Sequence, residues 1–155
     1  MKGTMNRIAN ILTSEHICDI EATTKDSAIL ELCELISTSR FVVDLDKFIT
    51  SIRSREAIMS TGIGMGIAIP HAKTSYLQDF VMAVGRSRKG VDFNSLDGLP
   101  VHVIILIGSS DTQGKDFLKV LADIGRTFKD ESYLQRFLEA QSPKEMYNLI
   151  INRFD

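Results

Sequence analysis

The sequence predicts an α/β protein, a single-domain sandwich of a mixed β-sheet flanked by helices. Apolar residues recur at helical spacing in the first third, two β-rich apolar runs fill the middle, and helical spacing returns at the end. Thr23/Thr24 supplies an N-cap for a helix running to about Ser39, with Ala28, Ile29, Leu32, Cys33, Leu35 and Ile36 on its apolar face. Asp44 caps a second helix, whose buried stripe is Leu45, Phe48, Ile49 and Ile52 and which ends near Glu56. Val81–Gly85 and Val101–Ile107 read as strands, the second apolar enough to be central, and an Asp97-Gly98 turn leads into it. Phe117, Leu118, Leu121, Ile124 and Phe128 share a face of a later helix. Ser142-Pro143-Lys144-Glu145 opens the last helix with a capping box and a proline in its first turn. The strand order is not legible from these patterns.

The 155 residues fit one domain, 1–155, with 1–5 a frayed lead-in. Apolar residues at 44% and charged residues at 25% are the balance of a soluble globular chain. With 18 basic against 20 acidic side chains and a net charge of −2, nothing electrostatic favours nucleic acid. Arg86, Arg88 and Lys89 read as a solvated basic face. No run reaches the roughly eighteen apolar residues of a membrane span, and no signal-peptide pattern opens the chain, so a cytoplasmic protein without direct membrane insertion is expected. Cys18 and Cys33 lack metal spacing and read as buried free thiols. Three dispersed histidines without ligand-spaced partners make no metal site, and no cofactor is expected.

The segment Thr61-Gly62-Ile63-Gly64-Met65-Gly66-Ile67-Ala68-Ile69-Pro70-His71-Ala72 carries the chemistry. Gly62, Gly64 and Gly66 allow backbone N–H groups to approach an anion closely, and Pro70 stiffens the approach to His71. A presented imidazole beside a nest of amides suits a phosphoryl group held on a histidine. A structural histidine after a proline turn fits the same residues, and the segment alone does not choose between the two. A dinucleotide fingerprint is excluded because Ile67 stands where a third glycine is required, and a P-loop because no Gly-Lys-Ser/Thr follows. His102 falls in a strand on the face of Ile104 and Leu106 and reads as a core or edge histidine. His16 reads as structural or exposed.

Arg55-Glu56-Ala57-Ile58-Met59-Ser60-Thr61-Gly62 followed by Gly66-Ile67-Ala68-Ile69-Pro70-His71-Ala72 resembles the active-site signature of mannitol/fructose-type enzyme IIA domains of the bacterial sugar phosphotransferase system. The resemblance continues through Gly90-Val91-Asp92-Phe93, Leu96 to Val101, Leu118 to Ala122 and from Leu138 onward to Tyr147-Asn148-Leu149-Ile150. It implies a phosphotransferase in which the Nε2 atom of His71 accepts a phosphoryl group from the histidine phosphocarrier protein. It also implies an Arg55 that offsets phosphate charge or orients a partner, and a Thr61 that bonds imidazole or phosphate. Many members carry a second histidine where this chain has Phe117. The nearest subgroup is the nitrogen-regulatory enzyme IIA, whose output is binding to a regulated protein. The alternatives are a free-standing enzyme IIA serving a sugar permease and a degenerate interaction module that takes no phosphate.

Overall fold

Alternation along two long strands organises the molecule. A computed structural model describes residues 8–154; the lead-in expected at 1–5 lies outside the described residues. Strand β5 (Val81–Val91) and strand β6 (Val101–Ser109) pair antiparallel with Val84 opposite Ile105. On β6, Val103, Ile105 and Ile107 enter one core cluster while Ile104 and Leu106 enter the other. That is the two-residue period of a strand buried on both faces.

The six-stranded sheet adds β1 (Ile17–Asp19) parallel to the outer edge of β5. The other edge of β6 is shared end to end by two short segments, β3 (Ile67–Ala68) opposite Val103–Ile104 and β4 (His71–Lys73) opposite Ile107–Ser109, both parallel. Strand β2 (Gly62–Gly64) pairs antiparallel with β3.

Helices α1 (Lys25–Leu35) and α2 (Leu45–Ile58) cover one face. Thr24 caps α1 through a reciprocal box with Ser27, and a 3₁₀ turn over Ile36–Thr38 takes the helical path nearly to Ser39. The Asp44 side chain accepts from the Lys47 N–H to cap α2, which runs one half-turn past Glu56. The opposite face carries α3 (Gly114–Lys129), α4 (Glu131–Leu138) and α5 (Pro143–Phe154). The predicted fold class stands, with the sheet mixed and helices on both sides.

Four details differ from the sequence reading. Asp130 both ends α3 and, accepting from Ser132 and Tyr133 N–H groups, starts α4, a helix the periodicity had not separated. Leu118 is 68% exposed, because Phe117, Val120, Ile124 and Phe128 form the buried stripe of α3. At α5, Ser142 accepts the Glu145 N–H while the Glu145 carboxylate reaches back to the Gln141 N–H, one residue earlier than in a capping box. Cys18 is only half-buried, whereas Cys33 is fully buried; burial pushes the two thiols up, to about 11 and about 12. Among the described residues no helix is long and apolar enough to cross a membrane.

Arg86 is the larger correction: instead of lying on a solvated face, it is 1% exposed. Its Nε and Nη2 bond both Asp19 carboxylate oxygens (2.8 and 3.2 Å), and Nη1 donates to the carbonyls of Leu138 (3.1 Å), the last residue of α4, and Ala140 (2.6 Å) just past it. One guanidinium thus satisfies the open end of a helix and ties it to β1 and β5. Replacing it by an apolar group strands those acceptors. Arg86→Met should cost about 3 kcal/mol in urea unfolding; a loss under about 1 kcal/mol would show that the clamp contributes little.

Candidate active site

Pro70 lacks an N–H, yet its carbonyl accepts the Ile107 N–H (3.0 Å), so the chain joins β6 again immediately before His71. His71 then lies opposite Ile107, and strand alternation sends Ala72 to the α1/α2 side and His71 to the α3 side. No strand covers the outer edge of β4 among the described residues, which leaves the imidazole half-buried at an edge.

Two contacts hold the ring. Its Nδ1 is 2.7 Å from the Ile69 carbonyl oxygen. A carbonyl only accepts, so Nδ1 carries the hydrogen and Nε2 keeps its lone pair. The Phe117 ring lies 5.7 Å away, centroid to centroid, inclined by 56°. Burial pulls the imidazole below the usual histidine range; the Ile69 hydrogen bond opposes this, the Arg55 charge adds to it and Glu56 opposes it.

Arg55 sits in the last turn of α2, half-buried, its Nη1 donating to the Met59 carbonyl (2.8 Å). It therefore closes the helix end while its charge acts on His71. Thr61 is buried but turned elsewhere: its hydroxyl donates to Glu56 Oε1 (2.7 Å) and its N–H to Glu56 Oε2 (2.8 Å). Its carbonyl accepts the Ile69 N–H (3.0 Å), so Thr61 acts on the site through the backbone that orients His71.

Glu56, given no role by the sequence reading, proves central. It is 7% exposed and salt-bridged to Lys25 of α1 (2.8 Å) as well as bonded twice to Thr61. A buried carboxylate needs this many donors. Its place beside Arg55 in the motif was visible, but its partners 31 residues upstream and 5 downstream were not.

The glycines form a hairpin turn at a different place. Gly64, Met65 and Gly66 have φ of +96°, +59° and +78°, and the Gly66 carbonyl accepts from His102 and Val103. His71 lies opposite Ile107, four residues further along β6, which sets the turn about 13 Å away along the strand. The Met65 N–H is bonded to the Asp97 carboxylate (3.1 Å) and the Gly62 N–H to Ser60 Oγ (3.0 Å). The register therefore does not bring this turn to the imidazole. His102 stands at that distant end, its Nδ1 2.8 Å from the Ser87 carbonyl oxygen, and His16 is buried. Ile69 and Phe117 touch the His71 ring, and the charges of Arg55 and Glu56 act on it from α2.

Comparison with known proteins places the chain in a family. Residues 10–153 fit the family described as phosphoenolpyruvate-dependent sugar phosphotransferase system, EIIA 2. The fructose-specific EIIABC component of Bacillus subtilis is 35% identical over 96% of this chain, which spans only 24% of that longer relative. The fructose-specific EIIA component of Haloferax volcanii is 32% identical over 82% of each chain. A nitrogen regulatory protein of Pseudomonas aeruginosa is 26% identical over 96% of this chain and 97% of its own. The crystal structure of the nitrogen regulatory protein IIA-Ntr of Neisseria meningitidis superposes with a TM-score of 0.87 at 26% identity, covering 93% of this chain and 99% of that one. The Escherichia coli mannitol IIA shares the fold, at a TM-score of 0.77 and 22% identity over 90% and 98% of the two chains. The chain belongs to the EIIA 2 family of the phosphoenolpyruvate-dependent sugar phosphotransferase system, a family of phosphoryl-transfer proteins.

Proposed function

We propose that His71 is the phosphoryl acceptor of this chain, that the donor is the phosphorylated histidine phosphocarrier protein, and that the output is regulatory. The observation carrying this is the tethered imidazole: Nδ1–H on the Ile69 carbonyl and Nε2 free at a sheet edge. In the first transfer the donor N–P bond breaks and its electron pair stays on the donor ring. The Nε2 lone pair forms the new N–P bond, and Nδ1 keeps its proton. The ring becomes a phosphoimidazolium whose charge faces the Ile69 carbonyl dipole, and Arg55 offsets charge on the phosphate. In the second transfer the Nε2–P bond breaks and the pair returns to the ring. Such chemistry needs positioning and charge stabilisation, and no further acid or base.

Exposed apolar side chains support a protein partner. Ile58 (80% exposed) and Met59 (62%) follow Arg55, and Leu118 (68%) follows Phe117, so the ends of both helices whose residues act on His71 carry exposed apolar side chains. The regulatory reading rests on the nitrogen regulatory relatives, matched over nearly the whole of both chains. Service to a fructose- or mannitol-type permease is the second reading, favoured by the higher identity to the fructose-specific components.

Incubation with radiolabelled phosphocarrier protein should place acid-labile phosphate on the wild type and none on His71→Ala; an unlabelled wild type would sink the proposal. A pull-down with both phosphorylation states then separates a regulated protein from a permease.

Because burial holds the folded imidazole less basic than in the unfolded chain, it stays a neutral nucleophile to lower pH. The acid limb of phosphoryl acceptance should fall with a midpoint below about 6.5. The unfolded chain binds the proton first, so stability from the neutral ring is present above about pH 6.5 and is lost as pH falls through the folded value. A midpoint above the free-histidine value contradicts this.

Glu56→Ala should cost about 3 kcal/mol in denaturant unfolding, since it leaves both Thr61 donors without an acceptor and Lys25 without its carboxylate, and should slow labelling of His71. Glu56→Gln, which keeps an acceptor, should lose less in both measurements. Equal losses would place the effect in the charge alone.

A further inference from the structure

We propose that Phe117, backed by Phe80, is a positioning residue for His71, holding the imidazole in the one orientation that turns Nε2 outward. The inference rests on His71 being the phosphoryl acceptor and concerns how this chain manages without a second imidazole at that place. Phe117 is 6% exposed and belongs to the same core cluster as Ile107, the residue paired with His71. It enters from the first turn of α3, where its N–H is fixed to the Gln113 carbonyl (2.9 Å). Phe80 stands behind it with ring centroids 6.5 Å apart and planes inclined by 32°, so the ring cannot retreat into the core without displacing a second aromatic.

Two restraints then act on the imidazole from different directions. The Ile69 carbonyl holds Nδ1, and the Phe117 ring lies against the side chain at 5.7 Å. A hydrogen bond at one nitrogen alone leaves the ring free to rock about that bond. An aromatic wall limits the rocking and excludes water from the covered side. Phenyl carbon exchanges no proton, so Phe117 acts on the protonation of His71 through burial, while the charges that act on it are those of Arg55 and Glu56 from α2. The other charged groups of the neighbouring elements are Lys73 on the same strand, Lys115 and Asp116 before Phe117 on α3, and Asp79, bonded to Gln113 Nε2 (2.8 Å), before Phe80.

The test uses the full chain. Imidazole ¹⁵N resonances of His71 are followed through a pH titration in the wild type, Phe117→Ala and Phe117→Leu, and the rate of phosphoryl acceptance is measured at about pH 8, where the ring is neutral in every form. The expected result for Phe117→Ala is a titration midpoint raised toward the free-histidine value and a rate reduced roughly tenfold. Phe117→Leu keeps most of the core volume and should move both in the same direction by less; it decides the matter if the alanine variant does not fold. A folded variant with midpoint and rate within twofold of the wild type overturns the proposal, as does a Phe117→His protein that accepts phosphate faster than the wild type. The ¹⁵N titration reads the hold on the ring without any phosphate. An unlabelled wild type therefore defeats the acceptor reading separately from this one.

Discussion

The parallel pairing of His71–Lys73 with Ile107–Ser109 is the interaction on which the rest depends. One edge of β6 is filled by two short strands in sequence, β3 and β4, with Ile69-Pro70 spanning the step between them. The proline removes one donor, while the Ile69 N–H bonds the Thr61 carbonyl, continuing the antiparallel register of β2 and β3 one residue beyond Gly62 and Ala68. The interruption aims the Ile69 carbonyl at the His71 ring. Slipping β4 by one residue would send His71 to the α1/α2 side, away from Phe117, because side chains alternate. The burial pattern of β4 itself opposes such a slip, since it would turn the exposed Lys73 toward the buried α1/α2 side and take Ala72 out of it. The energy that positions the imidazole is thus largely the energy of the core.

A second constraint joins the helices to this edge. The Glu56 carboxylate gathers Lys25 from α1 and both donors of Thr61, and Thr61 in turn fixes Ile69. The chain of contacts runs from the helical layer to the backbone beside the imidazole. Buried ionic groups are poor contributors to net stability, but they penalise wrong arrangements heavily. Here the arrangement penalised is one in which the 60–70 segment shifts against α2. A precise imidazole at a thinly covered sheet edge needs that kind of support.

The parts of this molecule that follow from local pattern were legible in the sequence. Thr24, Asp44 and Ser142 announced their helices through cap chemistry, and the run from Val101 to Ile107 announced a central strand. The segment around Pro70-His71 also stood out. What escaped was non-local. Three two- or three-residue strands in the glycine segment have too few residues to display a period. The glycine turn looked like an anion nest because its sequence neighbour is His71, whereas register carries it to the far end of β6. Arg86 looked solvated because nothing local shows that the carbonyls at the end of α4 arrive above it. The role of Glu56 needed Lys25, and that of Phe117 needed the fold to bring α3 against β4.

The electrostatics of this edge suit a group that comes and goes. On the proposed reading, with Nδ1 keeping its proton, a phosphoryl group would put two negative charges on its oxygens and one positive charge on the ring, a net gain of about one negative charge in a place that already holds a carboxylate. An unpaired Glu56 would oppose that strongly in a half-buried setting. Lys25, at 2.8 Å, matches the carboxylate charge locally, and on the proposed reading Arg55 is left to the incoming phosphate. Arg55 is itself anchored at the helix end by Met59, so its charge is held near His71 without a permanent carboxylate partner among its described contacts. On the proposed reading, phosphate would then alter the potential between Ile58, Met59 and Leu118 while leaving the core beneath unchanged. A partner seated on that apolar surface would sense the added charge directly, with no conformational relay required.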